Sequence, residues 1–157
     1  MGKIRSVLFV CTGNSCRSVM AEGLLKKRLA ELGKSGITVR SAGVRAFNGY
    51  SPMNETVEVM KAEGVDLSGF KSTAVTDELI RETDLILVMS AEHKREIVKK
   101  VPEAETKIFL LSEYGRNDKN GRPVNQDIPD PVGLPVFAYK ACLSMINEEI
   151  ERVAKLL

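Results

Sequence analysis

The chain is poor in the residues that build metal centres and secreted scaffolds: one histidine, three cysteines and no tryptophan in 157 residues. With cysteines only at positions 11, 16 and 142, neither a four-ligand zinc pattern nor an even disulfide framework is available, and reduced thiols are expected. Excess charge is lacking too. The 23 Lys and Arg nearly balance the 21 Asp and Glu and are scattered, which gives nucleic acid no footprint. No apolar run reaches the ~20 residues of a membrane span, and the start has no charged-then-apolar secretory pattern. A cytoplasmic protein without nucleic-acid or membrane partners is therefore expected. Repeats, low-complexity tracts and linkers are absent as well, so residues 1–157 read as one domain, enough to bury roughly two-thirds of the unfolded surface.

What is present is an alternation of strand and helix patterns. Residues 5–10 are almost continuously apolar and β-branched, as in a strand buried on both faces of a parallel sheet. After a Gly-Asn-Ser turn, Met20, Leu24, Leu25 and Leu29 recur at helical spacing to about residue 32, with Gly33 as the stop. Further strands are predicted over 37–40 (ending at Ser41-Ala42-Gly43), 85–89 and 107–111. Further helices are predicted over 54–62, 76–82, 91–100 and 136–157. The alternation predicts an α/β fold: an open four-stranded parallel sheet, order 2-1-3-4, with helices on both faces. Residues 112–135, rich in Gly, Asn, Asp and Pro, are too long for a plain connector and form a candidate functional loop.

Ligands of such sheets bind at the carboxyl ends of the strands, which directs attention to the loop after the first strand. It reads Cys11-Thr12-Gly13-Asn14-Ser15-Cys16-Arg17-Ser18. Successive backbone N–H groups from Thr12 to Arg17 can converge on an anion, backed by the positive end of the following helix. Gly13 and Asn14 tolerate the left-handed backbone that such a nest needs. Arg17 can grip two phosphate oxygens through its planar fork. The same field favours a nucleophilic thiolate at Cys11, whose attack on phosphorus gives a phosphocysteine. A chance spacing of a buried cysteine and a solvated arginine is the rival reading; the coincidence of strand, turn residues, helix start and serine weighs against it. A nucleotide-binding loop is excluded by the missing Gly-Lys-Ser/Thr ending.

The ordered segments VLFVCTGNSCRS, MAEGLL, SAGV at 41–44, DLILVMS at 84–90 and DIPDP at 127–131 resemble the low-molecular-weight protein tyrosine phosphatase family, which includes bacterial protein-arginine phosphatases. The resemblance implies Cys11 as nucleophile. Arg17 and the loop amides would bind phosphate or another tetrahedral oxyanion, and Ser18 would donate to the thiolate or departing sulfur. Asn14 and Ser41 would brace the loop from behind. Dephosphorylation also needs a proton for the leaving group and then a base for water. Asp130, stiffened by Pro131, fits both duties, and the family's Asp-Pro aspartate is its general acid. Asp127 is its rival, otherwise a loop-bracing or solvated carboxylate, and Asp118 reads as turn chemistry. The resemblance supports a reversible Cys11–Cys16 disulfide; a small core residue is an equal reading of Cys16. Cys142, on a stripe with Met145, reads as packing, and His93, opening a polar helix, as exposed rather than catalytic.

Departures from the family bear on substrate. Val19 stands where proline is common, with little consequence expected. Val132 stands where tyrosine phosphatases carry an aromatic wall after Asp-Pro; Phe47, and more weakly Tyr50, are candidates to replace it. Ser15 leans toward the arginine-phosphatase branch, against a bulky apolar residue in the tyrosine-specific enzymes. Phosphotyrosine is put ahead on the family's breadth. Two other functions are weighed. Thioredoxin-coupled arsenate reductases share the loop, but residues 89–92 and the helix beyond lack the relay cysteines. A phosphocysteine carrier is opposed by Arg17 and Asp130 together. The expectation is a monomer without cofactor or metal that acts on phosphorylated protein.

Overall fold

The computed structural model describes residues 2–116 and 126–157. Asp118 lies outside the described residues. In chain order the elements are β1 (Ser6–Cys11), α1 (Arg17–Glu31), β2 (Thr38–Gly43), α2 (Asn54–Ala62), α3 (Asp77–Glu82), β3 (Leu85–Val88), α4 (Ala91–Lys100), a 3-10 turn (Pro102–Lys107), β4 (Ile108–Leu110) and α5 (Val136–Leu156). The four strands pair in the order β2-β1-β3-β4, all parallel, as the sequence predicted.

The near-continuous apolar run of β1 follows from its central position. Val7 and Phe9 point to one face, where α1, α2 and α5 close the core with Leu25, Met60 and Ile146. Leu8 and Val10 point to the other, against Ile80 of α3 and Ile97 of α4. Side chains alternate along a strand, so a strand sandwiched between two helical layers has no face left for polar residues. β2 is longer than the predicted 37–40, because Ser41, Ala42 and Gly43 stay in register with Phe9, Val10 and Cys11. The 3-10 turn was not foreseen; Pro102 ends α4 and starts it.

Strand order reverses at β1, which pairs with β2 on one edge and β3 on the other. Its carboxyl end is therefore the crevice of the sheet. Cys11 is the last residue there, and the turn from Thr12 to Cys16 leads into the amino end of α1.

Candidate active site

The loop is held from behind by a chain of hydrogen bonds that ends on the Cys11 sulfur. Asn14 is completely buried and is the one non-glycine residue with positive φ among those described, at 52°. That left-handed backbone lets its amide face inward, where Nδ2 donates to Ser18 Oγ at 2.9 Å and Ser41 Oγ at 3.0 Å. Its Oδ1 accepts from the Thr73 amide at 2.8 Å. Ser41 Oγ in turn donates to Glu22 Oε1 at 2.6 Å. Because Asn14 already donates to Ser18, the Ser18 hydroxyl proton is free to turn to Cys11 Sγ, 2.9 Å away. Gly13 does not share the left-handed conformation; Asn14 alone supplies the turn that the sequence assigned to both. The Ser15 carbonyl is tied to the start of α2, accepting from Met53 N and Thr56 Oγ1 at 3.1 Å each.

The Asp-Pro segment reaches the same loop through three anchors. The Asp127 carboxylate accepts from the first amide of α4, Ala91 N, at 2.9 Å, where the helix dipole favours it. Ile128 N donates to Met89 O at the end of β3, and the Ile128 side chain is buried. Ile128 O accepts from Arg17 Nη1 at 2.9 Å. Asp127 is thus the brace, and Asp130, half-exposed, comes to 3.6 Å of Arg17 Nη2 through Oδ2. Its other oxygen caps the turn by accepting from Val132 N at 3.1 Å.

One sequence expectation needs correction. His93 is not exposed: it is buried, with Nε2 2.9 Å from Thr12 Oγ1 and Nδ1 accepting from Ser90 N at 3.1 Å. As third residue of α4 it folds back on the N-cap amide, so a polar helix hides a polar residue at its first turn. Cys142 is buried as expected, with its thiol 3.8 Å from Pro129 O. The neighbouring Cys142 thiol and burial push the Cys16 thiol far up, so Cys16 stays protonated. Phe47 and Tyr50 stand 76 % and 65 % exposed with ring centroids 6.3 Å apart, edge to face. They lie in the segment whose Val44 and Arg45 amides donate to the Cys11 and Thr12 carbonyls. Val132 is also exposed. Glu22, Thr73 and His93 were missed by sequence reasoning. Glu22 left a signal, an acidic residue amid the apolar residues 19–25.

Burial, and then the Arg17 charge with help from Arg45, hold His93 down at about 4 against the opposite pull of Asp127 and Asp130. An unfolded histidine titrates near ~6.5, so between the two values the unfolded chain binds the extra proton. The contribution of neutral His93 to stability is complete above about pH 6.5 and is lost as pH falls toward 4. Thermal midpoints followed from about pH 7 to about pH 4 should fall more steeply for the parent protein than for His93→Gln. Parallel curves would show that His93 titrates as it does in the unfolded chain.

Residues 6–157 match the low molecular weight phosphotyrosine protein phosphatase family. A probable low molecular weight protein-tyrosine-phosphatase, EpsP of Ralstonia solanacearum, is 36% identical over 148 residues, 94% of this chain and 92% of that protein. A protein-arginine-phosphatase of Geobacillus stearothermophilus is 34% identical over 151 residues, 96% of this chain and 95% of that one. Among solved structures, a cysteine-to-serine mutant of YwlE arginine phosphatase with a phosphorylated active-site serine superposes with a TM-score of 0.88 at 34% identity, covering 97% of this chain and 95% of that chain. With the family's model matched over residues 6–157 and these relatives covered over nearly their whole length, the chain belongs to the low molecular weight phosphotyrosine protein phosphatase family.

Proposed function

We propose that this chain hydrolyses phosphotyrosine in proteins through a phosphocysteine formed on Cys11, with Arg17 and the loop amides of residues 12–18 as the phosphate cradle and Asp130 as acid and base. The observation that carries the reading is the convergence of Ser18 Oγ on Cys11 Sγ and of Asp130 on Arg17, from opposite sides of one loop. In the first step the Cys11 sulfur bonds to phosphorus while the phosphorus–oxygen bond to the tyrosine breaks, and Asp130 gives its proton to that oxygen. In the second, Asp130 takes a proton from water, the water oxygen bonds to phosphorus, and the phosphorus–sulfur bond breaks. Ser18 meets the departing sulfur with its hydroxyl proton. Arg17 is fixed on Ile128 O by Nη1, while Nη2 lies toward Thr12 Oγ1 and Asp130 Oδ2, which leaves N–H groups of the guanidinium for the phosphoryl oxygens. Every step is carried by protein groups, so no cofactor is invoked.

The substrate assignment rests on the exposed Phe47–Tyr50 pair, which offers an aromatic ring an apolar surface to pack on, and on the exposed Val132 two residues after Asp130. Ser15 favours a second reading, phosphoarginine, since its small hydroxyl leaves room where a bulky apolar residue would pack a ring. Hydrolysis of phosphotyrosine and phosphoarginine by the reduced protein, side by side, separates the two. A clear phosphotyrosine preference that Phe47→Ala reduces supports the first reading; a phosphoarginine preference makes Ser15 the selector. Arsenate reduction through a relay is disfavoured by the absence of cysteine from residues 89–100. A monomeric protein of the cytoplasm completes the proposal, and among the described residues no helix is long and apolar enough to cross a membrane.

The reading makes Gly43 indispensable. A Cβ there would lie 2.5 Å from Thr12 O and 2.8 Å from Asn14 N, both backbone atoms of the loop. Backbone cannot swing aside as a side-chain tip can, so Gly43→Ala should displace the cradle. About 100-fold loss of p-nitrophenyl phosphate turnover is expected from a misplacement of ångström size, with a lowered thermal midpoint. Unchanged turnover would mean that the loop tolerates movement and that its geometry is not what sets the rate.

A further inference from the structure

The contact between His93 and Thr12 joins α4 to the cradle at a point that the two-step chemistry does not use. We propose that His93 is a positioning residue that holds the Thr12 hydroxyl as a hydrogen-bond donor to the bound phosphoryl group. This rests on the phosphatase reading above. Nδ1 of His93 lies 3.1 Å from both the Ser90 amide nitrogen and Ser90 Oγ; the amide can only donate and the hydroxyl can donate as well, so an accepting Nδ1 satisfies both and the ring proton resides on Nε2. Nε2–H therefore donates to Thr12 Oγ1 at 2.9 Å. Arg17 Nη2 approaches the same oxygen at 3.5 Å. A hydroxyl has two lone pairs and one proton; with a donor toward each lone pair, the proton must point along the remaining direction.

That direction matters because of what shares the Arg17 nitrogen. Nη2 is flanked by Thr12 Oγ1 and, at 3.6 Å, by Asp130 Oδ2. A phosphoryl oxygen gripped by Nη2 thus comes within reach of the Thr12 hydroxyl, which adds a side-chain donor to the ring of backbone amides. Thr12 is half-buried at the open side of the loop, whereas Asn14 behind it is sealed. The pull of burial and of Arg17 toward neutral His93 keeps Nδ1 able to accept from Ser90, so the arrangement persists across the neutral range.

The test has two parts. In the reduced parent protein, long-range nitrogen–proton NMR of the single imidazole should report the Nε2–H tautomer; an Nδ1–H tautomer overturns the proposal without any variant having to fold. Steady-state hydrolysis of p-nitrophenyl phosphate is then compared for Thr12→Val, His93→Ala and the double variant. Each single change should lower kcat/KM about tenfold, as loss of one charge-assisted hydrogen bond would, and the double change should cost no more than either alone. His93→Gln, which can accept from Ser90 and donate to Thr12, should restore most of the loss. Losses that multiply to about 100-fold would show that His93 acts independently of Thr12 and overturn the proposal, and a His93→Ala protein with full turnover and only a lower melting point would make His93 a helix cap and nothing more. The phosphatase reading fails separately, through absence of turnover in the parent protein.

Discussion

Cys11→Ser should fold and bind phosphate like the parent protein yet lose p-nitrophenyl phosphate turnover by a factor on the order of 10⁴ or more. The fold is insulated because the serine oxygen replaces the sulfur in a buried site beside Ser18 Oγ, with every other bond of the loop left in place. Arg17 and the amides that would hold the anion are likewise untouched. What changes is the reacting atom. An alcohol is a far weaker nucleophile than a thiolate, and an oxygen–phosphorus bond, once formed, gives a poorer leaving group to water than a sulfur–phosphorus bond. The variant should therefore either remain unmodified or accumulate at most one phosphoryl group per chain, read by intact-mass measurement. The relative solved with a phosphorylated active-site serine agrees with the second outcome. Cys16 offers no escape route, since its thiol is held protonated by the neighbouring Cys142 thiol and by burial. Retained turnover in Cys11→Ser would remove the phosphocysteine from the mechanism.

The sheet was legible because its signals are local and strong. The apolar run before Cys11 can be satisfied only by a strand covered on both faces, and Gly33, Gly64 and Pro102 mark helix ends by backbone chemistry alone. The loop was legible for a related reason: a cysteine at a strand end and an arginine at a helix start lie within eight residues, so no tertiary fold is needed to bring them together. Asp130 is 113 residues from Arg17, and its place came from resemblance to the Asp-Pro segment rather than from spacing. The network behind the loop was only half visible. Ser41 and Asn14 were named, but Glu22, which closes the chain, sits on an amphipathic helix where one acidic residue has an ordinary explanation. Thr73 contributes through its backbone amide, which no side-chain pattern records. His93 was misread because helix periodicity speaks of the middle of a helix, whereas its first turn is governed by capping and by what the adjoining loop presents.

Asp130→Asn carries the remaining large effect, and the leaving group decides its size. The asparagine can still accept from Val132 N and sit near Arg17, so local structure should persist, but it has no proton to give or take. The phenolate of a tyrosine side chain is a strong base, with a pKa of about 10, and leaves slowly unless protonated as the bond to phosphorus breaks. Loss of general acid catalysis should lower turnover of phosphotyrosine by about 10²- to 10⁴-fold. The guanidine nitrogen of phosphoarginine needs a proton at least as much, so its turnover should fall as far. p-Nitrophenolate is stabilised by its own substituent and needs little help, so with p-nitrophenyl phosphate the first step should survive. A rapid release of about one equivalent of nitrophenol per Cys11, followed by slow turnover, is then expected, because water still lacks its base in the second step. Equal loss for both esters with no burst would assign Asp130 to holding Arg17 rather than to proton transfer. Unchanged turnover would pass the role to Asp127, which the structure ties instead to Ala91 N at the start of α4.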